Sequence, residues 1–289
     1  VVVAGEAGIG KTRICEHFLR LAVLQGARLL QGRCQPTETQ IPFSGMADAL
    51  ADGVRSGDIA QLPERWADLI GSVFPSVCGP PSDPLTVSAW DGDLLRRRTF
   101  DAVSRLLRGI ADSDPVVLFL DDVHWADDST AALVHHLVRS LKDLPVMILI
   151  ALRPEEVPPD SALDRLLHDT PASDEMRRIT LGELDRASVE QLIDSFEERT
   201  GHTIPASLRE EVVRQAGGRP FYVIEILEAF RRGTLDLDHA SAAGPPPLPG
   251  TAFLTGTTEE FLRARLRGIG DEAMQVAATL AVLGRSATI

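Results

Sequence analysis

The chain has 289 residues, 44% hydrophobic and 25% charged, the balance of a globular protein with room for one large domain or two small ones. A formal net charge of −13 speaks against a nucleic-acid-binding surface on this chain, and no apolar run approaches the length of a membrane span. Cys15, Cys34 and Cys78 are odd in number and lack metal-ligand spacing, which argues against a disulfide framework or structural zinc and for a reduced, cytoplasmic setting.

Val1-Val2-Val3-Ala4 is a short apolar strand that runs into Gly5-Glu6-Ala7-Gly8-Ile9-Gly10-Lys11-Thr12, a complete GxxxxGK[ST] phosphate-binding loop. Gly5 and Gly10 are expected to supply positive φ and let the main chain approach an anion. Successive amides then point at that anion, at the positive end of the helix opened by Lys11. A helix is expected over 11–25, with Ile14, Phe18, Leu21 and Ala22 on one face, Cys15 as a small core residue and Gly26 as its stop. A strand opening at residue 1 with no Met reads as a piece of a longer protein. Residues 28–33 form a second strand. The stretch 36–92 is punctuated by proline, has helical pieces at 43–50 and 66–74, and carries no chemical motif. A helix over 93–110 bears Arg96-Arg97-Arg98 as a solvated face.

Val116-Val117-Leu118-Phe119-Leu120 is apolar throughout, the signature of a parallel strand buried on both faces, and Asp121 and Asp122 stand at its carboxyl end. A helix capped near Asp128-Ser129 follows. A strand over 145–151 leads to Arg153, a short helix lies around 163–168, and a fifth strand covers 178–181. Alternating strands and helices imply an α/β fold with a doubly wound parallel sheet. Helices alone follow, at 187–198, 205–216 and 221–232, and Gly218-Arg219-Pro220 opens the third. The segment 244–250 is a stiff Pro-rich linker, and two more helices are expected at 258–267 and 271–283.

An apolar strand ending in two aspartates, about 110 residues after a phosphate loop, is the second half of an ATPase site. Lys11 would reach the β- and γ-phosphates, and the Thr12 hydroxyl and Asp121 would hold Mg²⁺. Asp122 lies where a carboxylate could act as general base on water. Arg153, ending the next strand on the same rim, could sense the γ-phosphate and steady transition-state charge. His124 and Trp125 read as structural.

GEAGIGKT, LFLDDVHWADDST, ALRPEE and GGRPF occur in this order, and together they resemble the nucleotide-binding module of the signal-transduction ATPases with numerous domains (STAND). The resemblance is nearest to large ATP-binding regulators of the LuxR type, and extends to modules beside bacterial Ser/Thr kinases and nucleotide cyclases. It implies a three-layer P-loop NTPase fold with a five-stranded sheet at 1–182, a helical lid at 183–235, a linker at 236–250 and the start of a winged helix at 251–289. It also implies ATP and Mg²⁺ as ligands. Gly5, Glu6, Ala7, Gly8, Ile9, Gly10, Lys11 and Thr12 would lie on the phosphates, Thr12 and Asp121 on Mg²⁺, and Pro220 on the adenine. Asp122 becomes the base and Arg153 the sensor. The family's usual residue before that proline is Asn, where Arg219 stands here. The expected activity is slow ATP hydrolysis that resets a switch, with ATP and ADP, intramolecular receptor and output domains, and nucleotide-dependent self-association as partners, and neither nucleic acid nor membrane bound directly. The alternatives are an ATPase module attached to a Ser/Thr kinase or nucleotide cyclase, or an AAA+ motor-type ATPase.

Overall fold

The computed structural model describes residues 1–80, 92–169 and 176–233. These divide into two compact units, one of Val1–Ala7 and Lys11–Leu181, the other of residues 182–233 with Gly8–Gly10. The expected linker and winged-helix segment lie outside the described residues.

The first unit runs β1 (Val2–Ala4), α1 (Lys11–Leu24), β2 (Arg28–Arg33), α2 (Ser44–Gly53), α3 (Ser56–Ala60), α4 (Glu64–Val73), α5 (Pro75–Cys78), α6 (Gly92–Ala111), β3 (Val116–Asp121), α7 (Asp128–Ser140), β4 (Val146–Leu152), α8 (Ala162–Asp169) and β5 (Arg178–Thr180). Short 3₁₀ turns at Val123–Trp125 and Pro154–Glu156 follow β3 and β4. The five strands form one sheet in the order β2-β3-β4-β1-β5, and every neighbouring pair is parallel. Parallel strands need crossovers, and right-handed crossovers decide which face each helix covers. The step from β1 to β2 runs toward one edge, and the steps through β3 and β4 to β5 run back. So α1 lies on one face and the later helices on the other.

The burial pattern follows this division. Leu30, Leu118, Leu120, Ile150 and Leu152 point into the larger core with Met46, Leu69, Leu107 and Leu137 of the later helices. Val3, Phe119, Leu149 and Ala151 point the other way, against Cys15 and Leu19 of α1. All six residues of β3 are buried, which is why its sequence has no polar alternation. Close approach of α2 to β2 depends on glycine, since a methyl on Gly32 would overlap the Gly45 carbonyl oxygen. Of the face expected on α1, Ala22 packs against the smaller core, but Ile14, Phe18 and Leu21 are exposed. Lys11, Cys15 and Leu19 are buried, whereas Ile14 is 48% and Leu21 47% exposed. The cap of α7 is Asp127 and not the Asp128-Ser129 pair, and its carboxylate accepts from the amides of Ser129 and Thr130, both at 2.9 Å.

The second unit contains α9 (Arg186–Thr200), α10 (Ala206–Gln215) and α11 (Pro220–Arg231) around Val189, Ile193, Phe196, Leu208, Val212, Val223 and Leu227. Asp185 caps α9 through the Ser188 amide at 2.8 Å. Pro205 caps α10 from outside its first turn. Gly218 has φ 70° and lies so close to Leu184 that any side chain would strike the Leu184 carbonyl. Its own carbonyl accepts from the Leu184 amide at 2.7 Å.

Candidate nucleotide-binding site

The loop of residues 5–10 joins β1 to α1. Gly8 and Gly10 hold its left-handed backbone, at φ 74° and 101°. Gly5 is buried and not left-handed, so the positive φ expected there falls on Gly8 instead. Ile9 is buried, while Glu6 is exposed and Ala7 partly so. Lys11, only 6% exposed, folds back over the loop, and its ammonium donates to the carbonyls of Gly5 at 2.8 Å and Glu6 at 2.9 Å. Burial and then the positive charge of Arg153 hold Lys11 below the usual lysine range.

Thr12 and Asp121 meet although 109 positions separate them, the Thr12 hydroxyl donating to Asp121 Oδ2 at 2.9 Å. The other carboxylate oxygen of Asp121 accepts from the Asp122 amide at 3.0 Å. Burial raises the Asp121 carboxyl above the usual range, and the nearby Asp122 charge adds to that, while the Thr12 hydrogen bond opposes it. A hydroxyl and a carboxylate at this spacing form a hard-oxygen pair that suits Mg²⁺, which takes one or two protein ligands and completes its shell with water and phosphate. Among the described residues, no cluster of three or more His, Cys, Asp or Glu side chains could hold a metal.

Asp122 is buried and left-handed, with φ 52°. Its Oδ2 accepts from Arg33, from Nη2 at 2.8 Å and Nε at 3.2 Å. Arg33 ends β2 in register with Asp121. Sequence reading gave it no role, because local pattern contains nothing that links it to a strand more than eighty residues away.

Ala4 of β1 pairs with Leu152 of β4, so Gly5 and Arg153 leave the sheet side by side. The Arg153 guanidinium lies 5.4 Å over the Trp125 ring, and Nη1 donates to Glu156 Oε1 at 2.6 Å. The Arg153 amide donates to His124 Nδ1 at 3.4 Å, which leaves the proton of a neutral ring on Nε2. Burial lowers His124 below the ordinary imidazole value and favours that neutral ring. His124 Nε2 lies 3.3 Å from Glu156 Oε2 but without hydrogen-bond geometry. Glu156, three residues after Arg153, also went unassigned from sequence. Pro220 is the first residue of α11, in the second unit.

The first unit thus brings together Lys11, Thr12, Asp121, Asp122 and Arg153. The family description "AAA ATPase domain" matches residues 1–150. The chain belongs to the AAA ATPase domain family. This AAA ATPase domain is similar to an uncharacterized protein of Rhizobium meliloti strain 1021, 25% identical over 301 residues covering 100% of this chain and 28% of the relative. It therefore spans little more than a quarter of that relative's length. Solved structures similar to it include AMPPCP-bound DnaA from Aquifex aeolicus, with 15% identity, 81% of this chain and 56% of that one covered, and TM-score 0.46. Another is a Walker-type ATPase of Pyrococcus abyssi, with 13% identity, coverage of 96% and 71%, and TM-score 0.46. A third is the Aeropyrum pernix ORC1 protein in complex with DNA, with 14% identity, coverage of 98% and 66%, and TM-score 0.45. Among the described residues, no helix is long and apolar enough to cross a membrane.

Proposed function

We propose that this AAA ATPase domain is an ATP-binding switch that hydrolyses its nucleotide slowly within a multidomain signalling protein of the STAND type, nearest to the large LuxR-type regulators. The observation that carries the reading is the Thr12–Asp121 hydrogen bond beside a buried Lys11. It joins the phosphate loop after β1 to a carboxylate at the end of β3, a buried strand one place beyond β1's neighbour β4, the composition of a metal–triphosphate site.

In this reading the loop amides and Lys11 bind the phosphates, and Thr12 and Asp121 hold Mg²⁺. The metal supplies charge neutralisation and polarisation of phosphate oxygens. Asp122 accepts the proton of an attacking water, and Arg153 adds positive charge at the terminal phosphate. The motif string of the STAND modules supports the switch over a motor, as does the net charge of −13, since a motor on nucleic acid needs a basic track.

Calorimetry with Mg·ATP tests the assignment. Lys11→Ala is expected to weaken binding at least a hundredfold, because the phosphates lose their principal cation. Asp122→Asn is expected to bind ATP as the parent does and to lose turnover. Equal binding by the Lys11 variant would overturn the site, and turnover stimulated by DNA would redirect the reading to a motor.

A further inference from the structure

We propose that Trp125, Glu156 and His124 are positioning residues that seat the Arg153 guanidinium, holding one corner of it and leaving its Nε edge for a phosphate oxygen; the inference rests on the nucleotide-binding reading above. Two 3₁₀ turns, one after β3 and one after β4, build this seat. The Trp125 ring supports the guanidinium from one face, a favourable cation–π arrangement. Glu156 fixes the Nη1 corner at 2.6 Å. His124, whose side chain is 0% exposed, reaches both the Arg153 main chain and the second oxygen of Glu156.

What the seat leaves open points to its purpose. A guanidinium carries five N–H donors in a rigid planar fork. Nη1 is committed to Glu156, yet Nε is buried and has no acceptor. A buried donor without a partner is costly, and an arginine serving as a surface cap would turn that edge to water. Arg153 also leaves the sheet beside Gly5, at the start of the phosphate loop. A carboxylate that merely blocked the arginine would take the unpaired Nε edge, whereas Glu156 holds the Nη1 corner.

The test compares affinities of the full chain for Mg·ADP and for a non-hydrolysable ATP analogue bridged by methylene between the β and γ phosphorus. Arg153→Ala sets the scale, with an expected loss of about tenfold or more for the triphosphate and little change for ADP. Trp125→Leu and Glu156→Ala are each expected to lose about threefold to tenfold in the same selective way. Trp125→Phe should restore most of the loss by keeping an aromatic face. His124→Asn, which retains an acceptor for the Arg153 amide, should be milder than His124→Ala. In the Arg153→Ala background, Trp125→Leu and Glu156→Ala should cost nothing further. Equal losses for both nucleotides, or tighter triphosphate binding by Glu156→Ala, would overturn the seat. Failure of the parent and Lys11→Ala to differ would instead sink the nucleotide site itself.

Discussion

Arg33 and Asp122 join the ends of two neighbouring strands through a single carboxylate oxygen, with a side chain 66% exposed on the arginine and 7% on the aspartate. A carboxylate oxygen that accepts two charge-assisted hydrogen bonds is a poorer acceptor for a water proton. The pair therefore opposes the role proposed for Asp122.

Removing the arginine should release that restraint. Arg33→Ala is expected to raise kcat for ATP hydrolysis about threefold to tenfold with little change in ATP affinity. Leaving Asp122 buried and unpaired should cost about 1–3 kcal/mol of stability. Asn tolerates the left-handed backbone at position 122, so Asp122→Asn removes the base without straining the turn. A rate unchanged in Arg33→Ala and abolished in Asp122→Asn would show the pair to be structural only.

Asp121 is a carboxylate that the fold disfavours in its charged form. Its raised pKa means that the unfolded chain ionises first as pH rises above the ordinary aspartate value of 3.8. The resulting penalty on the folded state is absent below that value, grows as pH climbs to the folded pKa, and is constant above it. Asp121→Asn, whose amide can still serve both Thr12 and the Asp122 amide, is expected to raise the Tm of the nucleotide-free protein at pH 7 by a few degrees. That gain should vanish near pH 3.5, and the variant should lose the Tm increase that the parent gains from Mg·ATP. Parallel melting scans across this pH range check the sign.

Two glycines separate strain from collision. At Gly10 a methyl would meet nothing within 4 Å, so Gly10→Ala should cost only the left-handed backbone, about 1–2 kcal/mol, along with nucleotide affinity. At Gly32 the backbone is ordinary but the methyl meets a main-chain oxygen of α2, so Gly32→Ala forces α2 off the sheet and should cost about 3 kcal/mol or more. Denaturant melts should rank Gly32→Ala as the more damaging of the two.

The thiols give a map of the fold. Burial pushes Cys34 up to about 12 and Cys15 up to about 11, while Cys78 is exposed. Iodoacetamide at pH 8 should label Cys78 first and the other two only as the protein unfolds. Fast labelling of Cys34 in the native protein would contradict its place between β2 and α2.

Most elements were legible because their signals are local. A β-branched apolar run such as Val116–Leu120 fits a strand buried on both faces, and Gly26 marks the end of α1 by its left-handed conformation. The α1 face was misread for a physical reason. Ile14, Phe18 and Leu21 have helical spacing, but so do Lys11, Cys15 and Leu19, and the loop settles the phase by turning Lys11 inward. Positions four and eight residues on must then follow it. Lys11, Thr12 and Asp121 were readable as a set because the loop motif and the strand end each carry a chemical signature. Arg33 and Glu156 were not, since Arg33 depends on the β2–β3 register and Glu156 on two turns brought together by the sheet.

The place of β1 in the sheet bears on how the protein is made. Its two neighbours, β4 and β5, lie about 150 or more residues downstream, so the strand that carries the phosphate loop has no hydrogen-bonded partner until nearly the whole first unit has been synthesised. At a translation rate of about 5–20 residues per second, that is an interval of roughly ten to thirty seconds on the ribosome. During that time β2 and β3 can pair with each other, but β1 itself and the edge of β3 that β4 will later cover stay open to chaperones and to neighbouring nascent chains.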